Sequence, residues 1–211
     1  MLALPEQGEA TRLVLVRHAE TEEAARGRCY GRLDVALSPR GLRQAEALAA
    51  ALADLGLAAV YASPLARALD TARPIAAAHG LDPIVLEALR ELDFGEVEGL
   101  RYDEIEAQRP ELFRGWMDDP AGVRFPGGES LGDLRARALP AAAEIRAGHE
   151  REAVAVVAHG GVIRVVLADA LGLADRALFG LDHAEGGVSV VDWFDGVPLV
   201  RAANATLYSP A

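Results

Sequence analysis

Leu13-Val14-Leu15-Val16-Arg17-His18-Ala19-Glu20-Thr21 places four apolar residues in a row, two of them β-branched, directly before an arginine and a histidine. Such a run reads as a buried strand. A guanidinium and an imidazole then sit where the strand leaves its sheet. In open α/β sheets that edge is where ligands bind. A solvated loop start accounts for the pair equally well, and the rest of the chain has to decide.

Working outward, the same strand-to-loop pattern recurs. Leu57 to Ala62 is a second short strand, and Ser63-Pro64 reads as the start of a helix that carries Arg67 in its first turn. Ile84 to Leu86 is a third strand, leading into Leu89-Arg90-Glu91-Leu92-Asp93-Phe94-Gly95. Ala153 to Ala158 is the fourth, running straight into His159-Gly160-Gly161. Between them lie helical repeats: Leu42, Ala45, Leu48, Ala49, Leu52 and Leu55 after Ser38-Pro39, then Leu65 to Ala76, then Leu131 to Ile145 behind a Ser130/Asp133 capping box, then Val162 to Leu171. Gly187 to Trp193 and Val197 to Ala202 form a closing hairpin around Asp195-Gly196. Alternating strands and helices predict a three-layer α/β/α sandwich with a mostly parallel sheet and one antiparallel edge strand.

With 211 residues, of which 51% are hydrophobic, one domain over 1–211 is expected. Residues 1–11 read as a flexible lead-in. About 96–130 read as a lid-like insertion, irregular except for a helix at Tyr102–Gln108. The formal net charge of −11 argues against nucleic acid and anionic membranes as partners. A single cysteine, Cys29, excludes an internal disulfide and points to the cytoplasm. It reads as a small buried side chain. No run approaches the roughly 20 apolar residues that span a bilayer.

Parallel strands would bring Arg17-His18, Ser63-Pro64 with Arg67, and His159-Gly160-Gly161 to one rim. Two arginines, two histidines and two helix N-termini make an anion pocket. The paired histidines do not suit a metal, since neighbouring guanidiniums repel a divalent cation and no carboxylate triad is close in sequence. A neutral imidazole is a competent nucleophile towards phosphorus. The leaving alkoxide then needs a proton, and Glu91, in the apolar context of Leu89, Leu92 and Phe94, is the candidate donor. His79, His149 and His183 read as surface or loop residues, and Trp116, Phe125 and Trp193 as packing. Tyr30 and Arg32 stand at the border of the pocket or in a solvated loop.

Leu15-Val16-Arg17-His18-Ala19-Glu20-Thr21 resembles the signature of the histidine phosphatase superfamily, which has the phosphoglycerate mutase-like fold. Leu37 to Gly41, Ser63 to Thr71, Arg90 to Gly95, Gly127 to Ser130 and Val157 to Gly161 follow in the family's order. The resemblance implies that His18 is the phosphorylated nucleophile, that Arg17, Arg67 and His159, with Gly160, hold the phosphoryl group, and that Glu91 is the acid/base. It implies no metal and no other cofactor. Thr21, Tyr30 and Gly31 are carried along as substrate contacts. The family's usual glycine is Ala19 here. Its asparagine six residues after the nucleophile is Ala24, so one phosphate donor is missing or the loop is shifted.

The implied activity is a metal-independent phosphomonoesterase acting on a small phosphorylated metabolite. Cys29 to Val35 and Gly127 to Ser130 are similar to α-ribazole phosphatases, which suggests α-ribazole 5′-phosphate. A cofactor-dependent phosphoglycerate mutase is the alternative, against which the insertion lacks a basic tract. A non-catalytic phospho-ligand binding module is a second alternative. A homodimer stays open.

Overall fold

The computed structural model describes residues 4–25 and 27–207. Residues 1–3 of the lead-in, Arg26 of the first loop and 208–211 of the tail lie outside the described residues. Six strands form one sheet: β1 (Thr11–Arg17), β2 (Leu57–Ala62), β3 (Ile84–Val85), β4 (Ala153–Ala158), β5 (Gly187–Phe194) and β6 (Val197–Thr206), in the order β3-β2-β4-β1-β5-β6. β1 to β4 pair in parallel. β5 pairs antiparallel with both β1 and β6, so the closing hairpin supplies the antiparallel edge.

The central strands are apolar on both faces because helices cover both. All six residues of β4 are buried. Leu13, Leu15, Val154 and Val156 face a cluster with α5 (Leu131–Gly148) and α6 (Gly160–Ala170). Val14, Val16, Ala155 and Val157 face α1 (Pro39–Leu52) and α2 (Ala66–Ala77). Each fully buried Val or Leu contributes about 1.5–3 kcal/mol, so this two-sided burial is the main stabilising term. The stripe expected for α1 holds at Ala45, Leu48, Ala49 and Leu52, but Leu42 is exposed.

At the far edge Asp192 of β5, wholly buried, accepts from Arg12 at 2.7 and 2.9 Å and from Arg201 at 2.8 Å. The pairing stitches β1, β5 and β6 together. Arg12 also donates to the Pro5 carbonyl, and Leu4 packs against the core, which ties residues 4 and 5 to the sheet.

Two local expectations need correction. Ser63-Pro64 does not begin the second helix. α2 starts at Ala66, and its first N–H is met by Asp34 Oδ1 from a distant loop. The region after Tyr102 is more regular than its sequence suggests. Besides α3 (Tyr102–Gln108) it holds α4 (Pro110–Asp118), opened by Pro110 at the first helical position. Proline and glycine punctuation hid a helix of nine residues. Among the described residues no helix is long and apolar enough to cross a membrane.

Candidate active site

Strand register explains how the two histidines meet. Arg17 of β1 lies opposite Ala158 of β4 in a parallel pair. The next residues, His18 and His159, therefore leave neighbouring strands side by side, and their ring centroids are 5.3 Å apart. This is close to the spacing between strands. β2 lies on the other side of β4, with Ala62 opposite Val157. Ser63 follows it, and its hydroxyl is 2.7 Å from His159 Nε2. Ser63 is thus a support for His159, not a helix cap.

His18 is 2% exposed. Its Nδ1 is 2.8 Å from the Ala19 carbonyl. A carbonyl only accepts, so Nδ1 carries the proton and Nε2 keeps a lone pair. Burial, followed by the charges of Arg17 and Arg67, holds the His18 pKa well below the ordinary imidazole value. Burial and Arg67 do the same to His159. Both rings are neutral at neutral pH.

Arg67 is wholly buried. It donates to the carbonyls of Leu33 (2.8 Å) and Gly31 (2.5 Å), and its guanidinium lies 4.8 Å from the centre of the Tyr30 ring. Arg17 donates to the His183 carbonyl at 2.5 Å. Arg17 Nε, Arg67 Nε and His159 Nδ1 are buried without a hydrogen-bond partner, and neither arginine forms an ion pair among the described residues. Buried donors of this kind suit an oxyanion.

Glu91 Oε1 accepts from Leu92 N–H at 2.8 Å, and Oε2 from Gly161 N–H at 3.0 Å, in the first turn of α6. Leu92, Phe94, Leu131 and Leu134 line the cleft with it, and within that apolar setting both of its oxygens meet backbone donors. Its loop is clasped from outside. Arg137 donates to the Arg90 and Glu91 carbonyls at 2.6 and 2.9 Å and also binds Glu129. Glu129 in turn accepts from Asp93 N–H at 3.1 Å. Gly128 packs so closely on the Asp93 carbonyl that a Cβ would overlap it. Gly127 to Ser130 is therefore a brace for the Glu91 loop.

Arg17, His18, Tyr30, Gly31, Glu91 and Gly160 line one cleft. Arg67 and His159 are fully covered beside it. Thr21 lies in an adjoining cleft with Tyr30 and Glu185, to which its hydroxyl donates at 3.3 Å. Gly31 acts through its carbonyl on Arg67, and its φ of 36° with no space for a Cβ explains the glycine. Ala24 is exposed in a short 3-10 turn, and its carbonyl accepts from Arg28. Cys29 is buried, and burial pushes its thiol up to about 12.

His183 is not a surface residue. It is wholly buried, its Nε2 is 2.9 Å from Ser189 Oγ, and burial and Arg17 lower its pKa to about 4. Asn204 of β6, in the left-handed region at φ 53°, donates its N–H to the same hydroxyl, while its Oδ1 accepts from Ala184 N–H at 2.7 Å. The segment that holds Arg17 is thus set by β6. Sequence reasoning also missed Arg164, whose signal was a single arginine in the apolar stretch Val162 to Ala168. It lines the cleft with Tyr102, Trp116 and Phe179.

Comparison with known proteins agrees with this geometry. A bifunctional protein of Mycobacterium tuberculosis is 39% identical over 204 residues, which are 96% of this chain but 56% of that protein, so the chain spans about half the length of this relative. Phosphoserine phosphatase 1 of Hydrogenobacter thermophilus is 39% identical over 84% of this chain and 85% of its own. A mycobacterial glucosyl-3-phosphoglycerate phosphatase superposes with a TM-score of 0.85 at 31% identity, over 93% of this chain and 99% of its own. The alpha-ribazole phosphatase of Shigella flexneri superposes at 0.84 with 25% identity, over 93% and 97%. The family profile described as histidine phosphatase superfamily (branch 1) matches residues 13–206. With its paired histidines on adjacent strand ends and this match over nearly its whole length, the chain belongs to the histidine phosphatase superfamily.

Proposed function

We propose that the protein is a metal-independent phosphomonoesterase that works through a phosphohistidine on His18. The observation that carries this is the Nδ1 contact to the Ala19 carbonyl, which leaves Nε2 unprotonated in a ring that neighbours His159 and feels the charge of Arg17. In the first step His18 Nε2 attacks phosphorus, the P–O ester bond breaks, and the departing alkoxide takes a proton from the Glu91 carboxylic acid. Arg17, Arg67, His159 and the Gly160 N–H hold the phosphoryl oxygens and favour the charge they gain in the transition state. In the second step Glu91, now a carboxylate, takes a proton from water. The hydroxide attacks phosphorus, the P–N bond breaks, and neutral His18 and inorganic phosphate result.

Tyr102 and Trp116 of the 96–130 insertion line the cleft with Glu91, which supports a leaving group seated against them. The substrate is a small phosphorylated metabolite. Gly127 to Ser130, on which α-ribazole 5′-phosphate partly rested, is engaged in bracing Glu91. That compound therefore belongs in a panel with O-phosphoserine and glucosyl-3-phosphoglycerate. A cytoplasmic setting fits the lone buried Cys29.

The experiment is p-nitrophenyl phosphate hydrolysis with and without EDTA, alongside rapid quenching with ³²P-labelled substrate. Turnover indifferent to chelator and an alkali-stable, acid-labile label on the protein are expected. No turnover, or turnover without such a label, would overturn the reading.

A further inference from the structure

Arg164 is a charge that the proposed reaction does not use. It sits one turn into α6. Its Nε donates to the Leu181 carbonyl at 2.6 Å, which fixes the plane of the guanidinium. It forms no ion pair among the described residues. What stands beside it is a like charge. A Cβ on Gly160 would lie 3.2 Å from Arg164 Nη1 and 3.7 Å from Arg17 Cζ, so both heads flank one glycine. Burial and Arg17 depress its pKa against the opposing pull of Glu91 and Asp182, and a guanidinium stays charged.

Glu91 and Asp182 oppose Arg17 in their effect on Arg164, but neither carboxylate hydrogen-bonds or ion-pairs with its head among the described residues, so its Nη edge can still meet a ligand anion. In the reading above, the phosphoryl group answers Arg17. Arg164 lines the same cleft as Glu91, near enough for their charges to act on each other. The same cleft is lined by Tyr102, Trp116, Leu131, Leu134, Leu178 and Phe179. Such walls cannot solvate the second charge of another phosphate. One guanidinium offering its Nη edge matches one planar monoanion in bidentate geometry.

We propose that Arg164 is a specificity-determining residue that receives a carboxylate on the alcohol part of the substrate, so that the enzyme's substrates are phosphate esters of hydroxy acids. The proposal rests on the phosphomonoesterase reading and narrows its substrate class.

The test is a matched pair. 3-Phosphoglycerate and glycerol 3-phosphate differ in a carboxylate against a hydroxymethyl group. Wild type should favour 3-phosphoglycerate in kcat/KM by about tenfold or more, the worth of one charge-assisted hydrogen-bonded contact. In Arg164→Gln that ratio should collapse towards one. Arg164→Lys, which keeps charge but not the fork, should fall between. A wild-type enzyme that turns over p-nitrophenyl phosphate but shows no preference within the pair overturns the proposal with no variant needed. So does Arg164→Gln lowering both esters equally, which would place Arg164 on the phosphoryl group or in the scaffold. Failure of wild type on p-nitrophenyl phosphate itself would instead remove the underlying phosphatase reading.

Discussion

The backbone N–H of Gly161 donates to Glu91 Oε2 at 3.0 Å, and the same glycine has no room for a side chain, because a Cβ there would overlap Glu91 Oε1. Glu91 is thus positioned by the helix that follows the second histidine. Gly161→Ala should push the carboxylate aside and lower kcat on alkyl phosphates by about 10- to 100-fold. Glu91→Gln should cost more, about 10²- to 10⁴-fold, the usual worth of a general acid. Both losses should shrink on p-nitrophenyl phosphate, whose leaving group needs no proton. Equal losses on both kinds of substrate would mean that Glu91 is not the acid.

His18→Ala removes the only group proposed to accept the phosphoryl. Turnover should fall by roughly 10³-fold or more, and the ³²P label should vanish. Circular dichroism should show the fold retained. Residual activity above about one per cent of wild type would rule out the covalent route.

Arg67 has a structural duty as well as a proposed chemical one. Arg67→Ala strands the Gly31 and Leu33 carbonyls in a buried place, so stability should drop by about 2–6 kcal/mol in urea unfolding, at about 1–3 kcal/mol for each group left without its partner. Competitive inhibition by inorganic phosphate should weaken at the same time. Arg67→Lys keeps the charge but cannot span two carbonyls and an oxyanion with one fork. Phosphate inhibition unchanged in the alanine variant would take Arg67 out of the anion site.

His183 should make the protein acid-sensitive. Its folded pKa is about 4, against 6.5 for a free imidazole, so the unfolded chain binds more protons between those values. Stability is then full above about pH 6.5 and is lost as pH falls towards about 4. The single-site loss is on the order of 3 kcal/mol. Buried neutral His18 and His159 act in the same direction. Unfolding free energies measured from pH 7 to 4.5 should decline, with a shallower decline in His183→Gln. Identical slopes would show that His183 does not titrate with unfolding.

The sheet and the pairing of the two histidines were legible in the sequence because both depend on local signals. Uninterrupted apolar runs mark strands buried on two faces, and in each case the next residue is chemically loud. α4 was less legible, because Pro110 and Asp118-Asp119-Pro120 look like loop punctuation when a proline can equally open a helix. Ser63 was misread for a related reason: serine before proline suits a cap, but the parallel register put it beside His159. His183, Asn204 and Arg137 act through carbonyls and amides supplied by remote segments. Nothing in their own neighbourhoods announces those contacts. Arg164 could have been found, since a lone cation inside an apolar helical stretch asks for an explanation.

The tie from Asn204 through Ser189 and His183 to Arg17 has a consequence for synthesis. Strand β6 is made after every residue proposed to touch the phosphoryl group. A nascent chain that lacks it already has its nucleophile, yet the guanidinium beside that nucleophile has no fixed anchor behind it. The grip on the anion is therefore completed only when a strand made after the whole anion site has paired with β5.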